Sequence, residues 1–219
     1  IKQNTPLQWP VNPLHQMIKS AVENHQLKVY EDANLSNELN DEEMSLRLNH
    51  SVTVTVQDRP EEDPYSYKDV TMNESFDWAS IKRYKIMEDW FFDKKEGRMF
   101  CRIAYIAPLY MPYAGGATVP EQPLFYIRYF DPSQKDELCF RNVAVNSKCF
   151  NPRNDSHRMT YDEIFEMRMF SSFIIKQSNV FDNKFSEMDE YKDDPVAAML
   201  AAEKAQQELF EKEMDYWEN

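Results

Sequence analysis

The sequence predicts an α+β fold: a mostly antiparallel sheet around a central hairpin, with one helix packed on it and an extended C-terminal helix. Three observations lead there. Tyr84–Phe92 and Met99–Ile106 are rich in aromatic and β-branched residues and flank a short polar break ending in Gly97, the pattern of a β-hairpin. Thr160-Tyr161-Asp162-Glu163 has the form of a capping box, with Met159 and Ile164 at the staple positions. Asp194-Pro195 opens a last helix in which Val196, Met199, Leu200, Phe210, Met214 and Trp217 recur.

In chain order, Pro6 and Pro10 mark an extended lead-in. Asn12 caps a helix over Pro13–Asn24, where Leu14, Met17, Ile18, Ala21 and Val22 fall at helical spacing. Leu27–Tyr30 reads as a short strand. Asp41-Glu42-Glu43 opens a second helix reaching Leu48, its acids suiting the positive end of the dipole. Ser51–Gln57 alternates valine with polar residues, a half-exposed strand. Gln57–Ser75, with Pro60, Pro64 and Glu61-Glu62-Asp63, reads as a solvated loop.

Beyond the hairpin, Ala107–Pro123 holds four prolines and Gly115-Gly116, a long surface loop carrying Tyr110 and Tyr113. Leu124–Phe130 is a further strand, and another is expected around Phe140–Val145. A buried helix is assigned to Tyr161–Gln177, because Ile164, Phe165, Met167, Phe170, Phe173, Ile174 and Ile175 surround most of its circumference. Asp182–Asp194 is an acidic connector. In the last helix Glu203–Glu208 is almost wholly polar, so the helix is expected to stand partly detached. This divides the chain into a core domain over 1–192 and a helical appendage over 193–219.

Composition bounds the function. With 219 residues, 42% hydrophobic, 14% aromatic and 29% charged, the chain supplies a packed core and a solvated surface. A net charge of −13 argues against a phosphate-backbone partner, since nucleic-acid affinity draws on clustered Lys and Arg. No apolar run approaches the roughly 20 residues that span a bilayer, so no direct membrane insertion is expected. The chain begins at Ile1 without a signal-peptide pattern and is read as a fragment or processed form.

Chemistry-bearing motifs are missing. Only Gly97, Gly115 and Gly116 occur, which leaves no glycine-rich phosphate cradle. There is no GxSxG elbow, and His15, His25, His50 and His157 form no HExxH pair. A Cys149–His157 dyad has no assigned oxyanion donor. The acids Asp182, Asp189, Glu190, Asp193 and Asp194 lack calcium-loop spacing and its turn glycine. No cofactor and no catalysis are expected. The alternative is an enzyme or small-ligand module on the aromatic sheet face around Arg102 and Arg128, where arginine stacks between rings or pairs with a carboxylate such as Asp89. Cys101 reads as a buried mid-strand residue. Cys139 and Cys149, ten apart, either pair in an oxidising compartment or stay free thiols. Phe210, Met214 and Trp217, at i, i+4 and i+7, line one face suited to helix-in-groove recognition and are candidates for a partner interface, with the loop tyrosines Tyr110 and Tyr113 as a second place to seek one.

Two stretches carry a resemblance: Glu88-Asp89-Trp90-Phe91-Phe92-Asp93-Lys94, and Arg168-Met169-Phe170-Ser171-Ser172-Phe173-Ile174-Ile175-Lys176-Gln177-Ser178-Asn179-Val180-Phe181-Asp182. Both resemble the GldN/PorN family of the Bacteroidetes type IX secretion and gliding apparatus, and the likeness runs from Pro6 to Trp217. It implies a non-enzymatic, periplasmic component of a ring or core complex that forms homo-oligomers. It also implies association with the outer membrane through a GldK/PorK-like lipoprotein and contact with a GldM/PorM-like motor subunit. Of the family segment that precedes this region only Ile1-Lys2-Gln3-Asn4 remains, and Lys135–Lys148 follows the family pattern less closely.

Overall fold

The computed structural model describes residues 2–59, 63–112, 119–130, 132, 138–152, 154 and 156–217, with the backbone alone at 2, 50–59, 63–74, 216 and 217. In chain order the regular elements are α1 (Leu14–Glu23), β1 (Val29–Tyr30), α2 (Asp41–Leu48), β2 (Asn49–Arg59), β3 (Asp63–Ser75), β4 (Arg83–Asp93), β5 (Arg98–Tyr110), β6 (Gln122–Pro123), β7 (Tyr126–Arg128), α3 (Phe140–Ala144), β8 (Lys148–Cys149), β9 (Met159–Thr160), α4 (Tyr161–Glu166) and α5 (Pro195–Trp217). The expected α+β class with a mostly antiparallel sheet and a C-terminal helix is what forms.

The main sheet has the order β1-β7-β5-β4, with β6 paired on β5. Its β4–β5 hairpin turns where the sequence breaks. Asp93 accepts from the Lys95 amide at 2.7 Å, its carbonyl accepts from Gly97 at 2.8 Å, and Gly97 takes φ +63. In the sheet, Tyr105 pairs with Arg128 and Ile106 with Ile127.

The chain divides into two compact units, one of Pro6–Met87 with Ile103–Glu163, the other of Ile1–Thr5, Glu88–Arg102 and Ile164–Asn219. The division between these units runs through β4 and β5. In the larger unit α1 buries Leu14, Met17, Ile18 and Ala21 at i, i+3, i+4 and i+7. They join a core of Ile106, Leu124, Phe125, Ile127, Phe140 and Tyr161, all essentially without solvent contact. Two buried tyrosine hydroxyls find partners: that of Tyr161 donates to the Asn12 carbonyl at 2.6 Å, and that of Tyr129 to Asp162 at 2.9 Å. Helix α2 starts on a reciprocal capping box between Asn40 and Glu43.

Four expectations are corrected here. Residues read as a solvated loop over Gln57–Ser75 include strand β3, which pairs with β2 from Asn49↔Ser75 to Gln57↔Tyr67. Besides Pro64 and the acidic run, the apolar residues Tyr65, Tyr67, Val70 and Met72 change phase midway and hide the strand, and a partner strand decides such segments more than propensity does. The strand expected around Phe140–Val145 is helix α3, whose Phe140 and Ala144 bury together at i, i+4. The loop reading of Ala107–Pro123 gives way at both ends, where β5 runs to Tyr110 and β6 pairs Leu109↔Pro123 and Tyr110↔Gln122. The helix expected over Tyr161–Gln177 ends at Glu166.

That early end has a local cause. The capping box forms as read, with Glu163 accepting from the Thr160 amide at 2.7 Å and its own amide donating to the Thr160 hydroxyl at 3.2 Å. Arg168 then adopts φ +50, its amide donates to Phe165 and that of Met169 to Ile164, which together make a Schellman stop. Glycine usually holds that position. Arginine accepts it at a cost of about 1 kcal/mol. Helix α1 stops the same way on His25 at φ 52, with Gln26 donating back to Ala21.

Candidate interaction surface

In the smaller unit, the left-handed turn at Arg168 aims its side chain at β4 and β5. The guanidinium meets the Glu88 carboxylate at 2.6 Å and Cys101 Sγ at 3.2 Å, and lies over the rings of Trp90 at 4.8 Å and Phe170 at 5.8 Å. Trp90 Nε1 also donates to Glu88 at 3.3 Å. Burial works against the Arg168 charge, but the bonded Glu88 outweighs it and holds the group above its ordinary value. Burial first, then Glu88, pushes the Cys101 thiol up to about 11, against the pull of Arg168. Such a thiol stays protonated at neutral pH and is a poor nucleophile. Glu88 and Trp90 come from one resemblance stretch, Arg168 and Phe170 from the other, so this clamp ties the two together.

Downstream of the clamp, Ser171 is held by Asn4, which accepts from its amide at 2.7 Å and donates to its carbonyl at 2.9 Å. The chain then runs without helix or strand to 184 and places large apolar side chains outward: Phe173 is 70% exposed, Val180 95% and Phe181 81%. Phe91 and Phe92 near the hairpin end are also exposed. The smaller unit buries Ile164 and Phe165 at the end of α4 and a second group around α5. Phe185, Ala198 and Ala205 form its centre, with Ile174, Met188, Tyr191, Ala201 and Ala202 packed around them.

Helix α5 explains the contrast. Asp194 caps it, accepting from the amides of Val196 and Ala197 at 2.9 and 3.1 Å. Ala198, Ala201, Ala202 and Ala205 sit at i, i+3, i+4 and i+7 and face the unit's own core. At 100° per residue, Val196, Leu200, Phe210 and Met214 fall on the opposite side, and all four are exposed, Phe210 by 60% and Met214 by 46%. The expectation of a detached helix is corrected: the stretch 203–208 is anchored through Ala205.

The other sequence-derived sites resolve as follows. Trp217 closes α5, its side chain outside the described residues, as is Tyr113. Tyr110 is half-buried with its ring edge-on to Phe76 at 5.8 Å. Cys139 and Cys149 are buried free thiols, so no disulfide joins them in this structure. Cys149 Sγ contacts the Met159 carbonyl at 3.3 Å, and burial, then Glu163, raises it to about 11. Arg128 lies over the Tyr30 ring at 5.6 Å, while Arg102 is exposed. Among the described residues no three His, Cys, Asp or Glu gather to hold a metal, and no helix is long and apolar enough to cross a membrane.

Sequence reasoning missed Phe173, Val180 and Phe181 because it wound Phe173 onto a buried helix. The available signal was Ser171-Ser172, two poor helix residues in mid-run.

No curated protein matches the chain. A family model described as gliding motility associated protein GldN matches residues 1–218. Since the match takes in both stretches of the Arg168 clamp and the whole of α5, the chain belongs to the GldN family of gliding-motility-associated proteins.

Proposed function

We propose that this chain is a non-enzymatic structural component of a periplasmic ring or core complex serving type IX protein secretion and gliding. In this reading a GldK/PorK-like lipoprotein holds it at the outer membrane, further copies complete the ring, and a GldM/PorM-like subunit meets it on the motor side. The observation that carries the reading is the outward set of large apolar residues in the smaller unit, Phe173, Val180 and Phe181 on the irregular segment and Phe210 and Met214 on α5. Large apolar side chains held outward together in one unit are what an association surface is built from, and aromatic anchors dominate the energetics of such surfaces. Membership of a gliding-motility-associated family supports the reading.

The test is co-purification. A Phe173→Ser, Phe181→Ser double variant, expressed with the lipoprotein partner, is expected to lose co-elution and ring formation while the isolated chain keeps its melting temperature. Undiminished rings from this variant overturn the reading.

A further inference from the structure

We propose that the outward face of α5 docks a basic amphipathic helix contributed by another protein. The inference rests on the assembly role above and names the chemistry of one partner at one face. Because alanines occupy the buried side of α5, the opposite side is not needed to hold the helix down. Its anchors form two groups, Val196 and Leu200 near the start, Phe210 and Met214 near the end, all exposed. Within this 23-residue helix the stripe runs from Val196 to Met214, about 27 Å, long enough for another helix to pack alongside.

Charge selects the occupant. Between the two apolar groups lies Glu203, and around the second group lie Glu211, Glu213 and Asp215. Glu213 and Asp215 sit toward the negative end of the helix dipole, where the last turn has no basic residue. Carboxylates there oppose the dipole, and a partner's Lys or Arg relieves both this repulsion and the apolar exposure. Lys204 already pairs with Glu208 at 3.8 Å. A second copy is disfavoured in either orientation, because Asp193 and Asp194 at the start of the helix make both ends acidic. An anionic lipid surface is disfavoured for the same reason.

The test uses the full chain and two labelled synthetic helical peptides with the same leucine stripe, one flanked by lysines and one by glutamates, read by fluorescence anisotropy. The lysine peptide is expected to bind, with the glutamate peptide weaker by about tenfold or more. Leu200→Ser with Phe210→Ser is expected to weaken the lysine peptide about tenfold. Glu211→Gln, Glu213→Gln and Asp215→Asn together are expected to weaken it and flatten its salt dependence. Equal binding of both peptides, or lysine-peptide binding indifferent to Leu200 and Phe210, overturns the proposal. A Phe210-dependent dimer seen by light scattering also overturns it and makes the occupant a second copy. If it fails while Phe173 and Phe181 still govern co-elution with the lipoprotein, the assembly role stands without it.

Discussion

The two units solve opposite problems with similar residues. In the larger unit phenylalanine and leucine go inward, with Phe125, Phe140, Leu14 and Leu124 removed from solvent. In the smaller unit Ile164, Phe165 and Phe185 go inward, but α5 turns alanines to the core, and Phe173, Phe181, Leu200 and Phe210 remain outside. Apolar burial stabilises by about 25 cal/mol per Å², so stability is concentrated in the first unit and unspent apolar surface in the second. One fold thereby separates the residues that hold the chain together from those available for association.

The sharpest way to break this comparison is Phe140→Ala. It should cost about 3–5 kcal/mol, read as a lowered urea midpoint, whereas exposed phenylalanines such as Phe173 should tolerate replacement within about 0.5 kcal/mol. Equal costs at the two sites would erase the distinction. Next in size is Arg168→Ala, which leaves Glu88 without its guanidinium. Partial exposure of the pair moderates the loss to about 2 kcal/mol. Arg168→Lys should restore only part, since lysine lacks the planar contact with Trp90.

The smallest effect concerns pH. The Glu163 carboxyl is held below its ordinary value by the Thr160 amide first, against the opposing effect of burial, with the Thr160 hydroxyl and then His157 adding to the lowering. A lowered folded-state value means the contribution is present above the usual carboxylate range and is lost as pH falls through it. Thr160 supplies the cap, so Thr160→Ala should cost about 1 kcal/mol at pH 7 and less near pH 3. A cost unchanged between these pH values in urea titrations would show that the cap acts without the carboxylate.

Much of the larger unit was legible because its signals are local. Asp41–Leu48 begins on its acids and Leu14 to Ala21 repeats at helical spacing, as Gly97 marks the hairpin turn in the smaller unit. What stayed hidden depends on distant partners. Arg168 leaves the helix for a left-handed turn and reaches Glu88, 80 residues away, and no window of sequence contains both ends of that choice. β3 needs β2 to declare itself a strand. On α5 the eye follows Phe210 and Trp217, whereas the buried side is chosen by alanines whose small size lets Phe185 approach. The candidate surface was therefore half visible: Phe210 and Met214 from spacing, Phe173 and Phe181 only from the fold.

The amide bridge between Asn4 and Ser171 has a consequence in time. It spans 167 residues of chain, so a ribosome must deliver that whole stretch after Asn4 before the bond has a partner. Contacts this remote close late, since loop entropy must be met before they contribute. The outward phenylalanines at 173 and 181 follow directly behind the same bridge. A nascent chain thus shows its most adhesive segment only after the valines, tyrosines and phenylalanines of the larger unit have left the exit tunnel, which gives the core a head start over any encounter with neighbours.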